Sequence, residues 1–575
     1  MNLNITLSGR LLRVLKRALT CLALTTTGVA WAGTEKLASD LQSGHLPERL
    51  DVIIQYRDLP TEANSSKIRA RGGVLRHEFP GIKAAHYTVS ASALADIADD
   101  PEIIHISPDR KVKAHLDQAD ASIGANLAAS YKLDGSGIGV AVIDSGIGPS
   151  DDLKNSVVYE QQFIQGTTQD NYGHGTHVAG IIAGDGTKST GSSFFRTFHG
   201  VAQGVKLIDL QVLDQNGIGT DSGVIAAIQQ AIALKSKYNI RVINLSLGRQ
   251  VFESYRLDPL CQAVEQAWRA GIVVVVAAGN YGRANPTTTY GYGTITAPGN
   301  DPLAITVGAM NDKMTPNTSD DVITSYSSKG PTLYDMVAKP DLVAPGNLID
   351  STLSQSSNML KNNPSVGIPV NAYKNTSDPG TSTDYMQLSG TSMATPFVSA
   401  TAALVLQQNP AMTPDQVKAR LMKTASKNFP LTSSWTDPST GITYREQYDI
   451  FTVGAGYLNV GNALFNTDLA PAGLSAASPA LILLPFQTMI FAPALSTVWG
   501  SSTVWGSSTV WGSTVVWGSS TVWGSSTVWG SSNLFTSAAS TVWGSGAVWG
   551  SGTVWGSSTV WGTNDSADIV FRGDQ

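Results

Sequence analysis

Val273-Val-Val-Val276-Ala-Ala-Gly279-Asn280 is the stretch on which the fold turns. Four consecutive valines show no alternation of apolar and polar residues, so both faces of this strand are covered, and the Gly-Asn pair behind them marks its end. Working outward, short apolar runs at Ile138–Ile143, Leu207–Val212, Val242–Leu245 and Ala304–Val307 predict further strands. Amphipathic patterns predict helices at His174–Ala183, Asp221–Ser236, Pro259–Ala270, Ser392–Gln408 and Thr413–Thr424. Strands alternating with helices predict an α/β fold over residues 117–466, a doubly wound, mostly parallel sheet with helices on both faces. Such sheets keep their sites outside the carboxyl ends of the strands.

Asp144 ends the strand Ala141-Val-Ile-Asp144-Ser-Gly146. A buried carboxylate there can orient an imidazole and favour its cation, although an Asp at a strand end also reads as a turn or cap residue. His174 sits among glycines in Tyr172-Gly-His174-Gly-Thr-His177-Val-Ala-Gly180. Beyond residue 116 only His174, His177 and His199 remain of eight histidines, which narrows the choice of general base. His174 and His177 are three residues apart with no Glu between them, unlike the His-Glu-x-x-His of zinc proteases. The pair therefore does not read as a metal site, and His177 reads as structural. Ser392, in Leu388-Ser-Gly-Thr391-Ser392-Met-Ala-Thr395-Pro396, starts a buried helix. Partial positive charge at that end suits a nucleophile whose product is an oxyanion; a capping serine is the alternative. Asn280 can donate its amide to a tetrahedral intermediate or simply form a turn.

Asp144-Ser-Gly, His174-Gly-Thr-His-Val-Ala-Gly, Ala278-Gly-Asn280 and Gly390-Thr-Ser392-Met-Ala-Thr-Pro occur in that order, and together they resemble the subtilisin-like serine proteases over roughly residues 125–465. The resemblance implies hydrolysis of peptide bonds in extended polypeptides through an acyl-enzyme. It casts Asp144 as orienter, His174 as general base and then acid, Ser392 as nucleophile, and the Asn280 side chain with the Ser392 N–H as oxyanion hole. Ser246, Leu247 and Gly248 would pair with the substrate backbone as an added strand. With Ala277, Ala278 and Gly279 they would wall the pocket for the side chain preceding the scissile bond. No cofactor is required for that chemistry. In place of the family's short calcium loop stands Gly184-Asp-Gly-Thr-Lys-Ser-Thr-Gly-Ser-Ser-Phe-Phe-Arg196, which leaves Asp152 as the candidate ligand for a structural calcium ion.

The flanking regions read differently. Residues 1–32 are expected to be a signal peptide, with Arg10, Arg13, Lys16 and Arg17 before an apolar stretch and Ala30-Trp31-Ala32 as cleavage site, so a secreted, extracellular protein is expected. Without that segment Cys261 is the sole cysteine, which excludes an internal disulfide and reads as a core residue. A net charge of −6 argues against nucleic acid as partner. Residues 33–116, with an α/β core at 51–115, resemble the inhibitor propeptides of the same family; strands are predicted at Asp51–Tyr56 and Ile103–Ile106 and a helix at Ser90–Asp99. The implied partner is the enzyme's own propeptide, lying in the cleft until self-processing between Arg110 and Asp120.

Residues 467–496 form a linker, read as a packed strand rather than a membrane anchor because Pro485 and Pro493 interrupt it. Residues 497–562 repeat Thr-Val-Trp-Gly-Ser-Ser without a single charge, and a polar tail, 563–575, follows. Three readings of the array stand side by side: a β-solenoid, an aromatic surface for polysaccharide or a cell surface, and a partly disordered low-complexity tail. The array also supports an alternative function, a surface structural or adhesive protein whose protease domain serves mainly its own maturation.

Overall fold

The computed structural model describes residues 34–484 except 43–45, 115–122, 126, 167–168, 314, 316, 428, 431, 472 and 474, together with 488–491, 503–504, 510–511 and Asp574. The smaller of its two main cores belongs to an antiparallel sheet of β1 (Arg49–Tyr56), β2 (Val74–Phe79), β3 (Ala84–Ser90) and β4 (Ile103–Pro108), in the order β2-β3-β1-β4. Helices α1 (Glu62–Ala70) and α2 (Leu94–Ala98) complete it. The period of two along β1 sorts its side chains. Val52, Ile54 and Tyr56 join Ile68 and Ile97 in the small core, while Ile53 joins the large one. On that second face Gln55 Nε2 donates to Leu257 O at 2.5 Å. One strand thus holds its own domain together and docks it on the next. The small core also takes in Leu37 and Leu41, upstream of the 51–115 boundary.

A short strand, β5 (Lys111–Ala114), leads out of this unit into the larger one. There β6 (Gly139–Asp144), β7 (Val157–Gln162) and β8 (Lys206–Gln211) precede a small β9 (Ile218–Thr220). Next come β10 (Ile240–Leu245), β11 (Leu247–Gly248), β12 (Val273–Ala277), β13 (Ile305–Asn311), β14 (Val322–Ile323) and β15 (Leu342–Pro345). The main sheet runs β14-β13-β12-β10-β6-β8-β7, with β15 also paired to β13. Every pairing is parallel except that of β14. Helices α3 (His174–Ala183) and α6 (Thr391–Gln408) pack together on one face; α4 (Asp221–Tyr238) and α5 (Pro259–Arg269) pack together on the other. Thr413 caps α7 (Pro414–Thr424) rather than opening it, its hydroxyl accepting from Gln416 N.

The linker begins as part of this body. Ser478 Oγ donates to Pro302 O at 3.2 Å, Leu481 N donates to Met336 O at 2.8 Å, and Leu481–Leu484 pairs antiparallel with Thr488–Phe491. Among the described residues no helix is long and apolar enough to cross a membrane. In the array Thr503–Val504 pairs antiparallel with Val510–Trp511; the remainder of 497–562, and residues 1–32, where a signal peptide is expected, lie outside the described residues.

Candidate active site

Three neighbouring strands, β6, β10 and β12, end side by side, and their last residues or the turns behind them carry Asp144, Ser246 and Asn280. Asp144 Oδ1 lies 2.5 Å from His174 Nδ1, with both residues fully buried, and also accepts from Ser145 N at 2.7 Å. An ionised carboxylate only accepts, so this contact puts the Nδ1 proton between the two groups. Gly175 makes the approach feasible: a Cβ there would sit 2.2 Å from Gly146 O, so only glycine lets α3 press onto the Asp144-Ser-Gly turn.

Asp170, which the sequence reading passed over, organises the entry to α3. Its Oδ1 accepts from Gly173 N (2.7 Å) and Ser145 Oγ (2.8 Å), and its Oδ2 from Thr176 N (2.9 Å) and Thr176 Oγ1 (2.6 Å). Burial pushes this carboxyl up to about 6, and the four donors work in the opposite direction. An acid four residues before a helix-opening histidine was the available signal. His177, one turn further, is fully buried with Nε2 3.0 Å from Ile349 O, and burial pushes its pKa down to about 3. It is a neutral packing residue, as the spacing argument expected.

Ser392 occupies the first turn of α6. Its Oγ donates to Ser246 O at 3.0 Å, and Ser246 Oγ donates to Ser392 O at 2.6 Å. The second bond has a local cause. Pro396, inside α6, has no N–H to offer the carbonyl four residues back, and Ser392 O accepts from Ser246, just past the end of β10. The turn that carries Ser392 and the turn after β10 are thereby stitched together.

Asn280 is aimed by its neighbours. Its Oδ1 accepts from Thr391 N and Thr391 Oγ1, both at 3.0 Å, while its Nδ2 is buried and has no acceptor among the described residues. A buried amide N–H without a partner is costly and marks a position poised to donate. Thr391, also missed in the sequence, sets this orientation and accepts Gly279 N at 3.1 Å. Gly279 has φ +104, and a Cβ on it would meet Thr296 Cγ2 at 2.6 Å. Ala277 and Ala278 beside it are buried, small and apolar.

Leu247 and Gly248 form β11, and the strand they pair with is β5: Leu247 opposes Ala114 and Gly248 opposes Lys113. On its other edge β5 pairs with β9, Val112 opposing Gly219. Asp152 has both oxygens engaged, Oδ1 accepting from Lys188 N (2.8 Å) and Oδ2 from the Tyr385 hydroxyl (2.5 Å). It thus ties down the segment standing where the calcium loop was expected. Among the described residues no group of three or more His, Cys, Asp or Glu gathers as a metal site. Cys261 is buried and free, with Sγ 3.3 Å from Asn300 Oδ1.

A carboxylate–imidazole pair, a helix-start hydroxyl and an unpartnered amide at the carboxyl edge of a parallel sheet define a class, the α/β serine hydrolases that work by acyl transfer. Residues 135–455 match the Subtilase family, so the chain belongs to it and is a subtilisin-like serine endopeptidase. It is 34% identical over 441 residues to the serine protease AprX of Bacillus subtilis (strain 168), covering 72% of this chain and 88% of that one. Subtilisin E of the same organism is 33% identical over 384 residues, covering 65% and 84%. An extracellular serine proteinase of Thermus sp. (strain Rt41A) is 35% identical over 348 residues, covering 58% and 69%. Among solved structures, fervidolysin from Fervidobacterium pennivorans, a keratinolytic enzyme related to subtilisin, shares the fold with a TM-score of 0.53 at 22% identity. The match covers 74% of this chain and 62% of that one.

Proposed function

We propose that the chain is a secreted serine endopeptidase, made as a self-processed zymogen, that cuts extended polypeptides through an acyl-enzyme on Ser392. The observation that carries this reading is β5, an extended segment of the chain's own N-terminal part seated between β9 and β11 and running toward the turn that holds Ser392. Main-chain pairing of this kind takes any sequence that can extend, so the same groove serves a substrate once β5 leaves.

In the reaction, His174 Nε2 takes the Ser392 proton as Oγ attacks the carbonyl carbon, and Asp144 stabilises the imidazolium. The oxyanion is held by Asn280 Nδ2 and the Ser392 N–H. His174 then protonates the leaving amine, and water repeats the sequence to release the acid. These steps draw on protein groups alone.

The N-terminal unit acts as the inhibitor. The Asp109 carboxylate accepts from Ser222 N at the start of α4 at 2.6 Å, and Arg110 O accepts from Asp221 N at 2.7 Å. The cut falls just beyond, between Arg110 and Asp120. N-terminal sequencing of enzyme collected from the medium tests this: a start in that interval is expected, and a start at Gly33 would sink the zymogen reading. Ser392→Ala is expected to accumulate the uncut chain and to lose cleavage of added casein.

A further inference from the structure

We propose that Asp574 is a latch: it is received by a built carboxylate site on the catalytic body, which ties the far side of the tryptophan array back onto the enzyme. Asp574 is only 4% exposed. Its Oδ1 lies 2.8 Å from an Arg283 guanidinium nitrogen and accepts from Ser325 Oγ at 2.7 Å; its Oδ2 accepts from Ser325 N at 2.6 Å. Its backbone is read as well, its N–H donating to Asn347 Oδ1 at 2.9 Å and its C=O accepting from Asn311 Nδ2 at 3.1 Å.

The receiving residues come from four separate segments and are themselves buried, so this is a prepared cavity rather than a surface contact. Arg283 is held in place before the acid arrives. Its Nε donates to Ser325 Oγ at 2.8 Å, and its guanidinium lies 4.4 Å from the Trp435 ring and 5.6 Å from that of Tyr444. A charge so enclosed favours a carboxylate partner over none, and paired backbone and side-chain contacts specify an acidic residue at this point.

The site adjoins the catalytic turns. Arg283 is three residues beyond Asn280, Gly282 N donates to Tyr326 O next to Ser325, and Gly346, beside Asn347, accepts from Gly390 N. The chain leaves the body at the Leu481–Phe491 hairpin and returns to it at Asp574. The array is therefore fixed at both ends, and a cut within it does not release the distal piece.

The test uses the full chain in a Ser392→Ala background, to prevent self-digestion, with a recognition sequence for a site-specific protease placed between Ser532 and Ser540. After cutting, the fragment that ends at Gln575 is expected to co-elute with the body on gel filtration and to separate when Asp574→Ala is added, while Asp568→Ala leaves it bound. A fragment that separates from the unmutated chain, or that stays bound without Asp574, overturns the latch. A second measurement is independent of array self-association. A chain ending at Asn564 is expected to melt several degrees lower than the full chain and to recover with a synthetic peptide of residues 566–575, but not with the Asp574→Ala peptide. Equal effects of the two peptides, or of neither, would overturn it too.

Discussion

Asn280 illustrates how a single side chain acquires a role from what holds its other end. Both donors of Thr391 converge on Oδ1, so the amide cannot flip without breaking two bonds, and Nδ2 is left without an acceptor, as the proposed oxyanion role requires. Asn280→Ala removes the donor and is expected to lower kcat by about 10²–10³ while KM changes little, because the bond strengthens only in the transition state. Thr391→Val keeps the backbone donor and loses only the hydroxyl, so a smaller fall in kcat is expected in the same assay. His177 makes a different prediction. Burial holds its pKa near 3 in the folded chain, whereas an unfolded His titrates near 6.5. Above that value neither state binds the proton and His177 contributes no pH dependence. As pH falls from about 6.5 to 3 only the unfolded chain takes the proton, so stability falls by roughly 1.4 kcal/mol per pH unit. Raised carboxyls such as Asp170 titrate over the same window with the opposite sign, so the slope is read as the difference between the unmutated chain and His177→Gln in urea unfolding at pH 7 and pH 5.

At the scale of elements, α3 carries the proposed general base, and its first turn is positioned by an acid outside it. Asp170→Ala leaves Gly173 N and Thr176 N without their acceptor; losses of about 1–3 kcal/mol follow from buried donors left unpaired. The imidazole is expected to drift from Asp144, lowering kcat more than the stability change accounts for, which urea unfolding and steady-state kinetics on one preparation would resolve. Much of this architecture was legible beforehand. Strands such as Val273–Ala277 lie buried on both faces and so carry a continuous apolar run, and α3 and α5 begin where their patterns begin. What escaped reading had weaker local signals. β7 is an edge strand, Val-Val-Tyr-Glu-Gln-Gln, partly exposed along its length. β15 is four residues long, and β14 is two. Asp144, His174, Asn280 and Ser392 were legible because each sits at a punctuation point in a recurring motif. Asp170 and Thr391 were not, because their work is done through hydrogen bonds to residues the sequence does not mark as partners.

Across the whole molecule, the N-terminal unit and the catalytic body share a buried polar interface around one carboxylate. Glu253 is contacted by His105 and accepts from Ser107 Oγ at 2.8 Å and from an Arg110 nitrogen at 2.6 Å; Arg110 also bonds Asp40. Burial alone would raise Glu253, but His105 and Arg110 outweigh it and hold the carboxyl below its usual range. Removing one member of such a cluster costs more than the cluster contributes, because the remaining charge stays buried without its counter-charge. Glu253→Ala therefore takes from His105 its carboxylate contact and leaves Arg110 with Asp40 alone, while leaving β9 and β11 free to receive β5. Losses of about 3–5 kcal/mol for a broken buried pair correspond to a rise of roughly 10²–10³-fold or more in the inhibition constant. The measurement is inhibition of mature enzyme by separately added N-terminal segment, residues 33–116, with kcat on a small peptide as control. An unchanged kcat with weakened inhibition is the expected result. The pH dependence has a defined sign: a carboxyl held low in the complex contributes fully above the ordinary carboxylate range, and its contribution is lost as pH falls through that range. Inhibition of the unmutated enzyme should therefore weaken on acidification below about pH 4.5, and the Glu253→Ala enzyme should lose that part of the response.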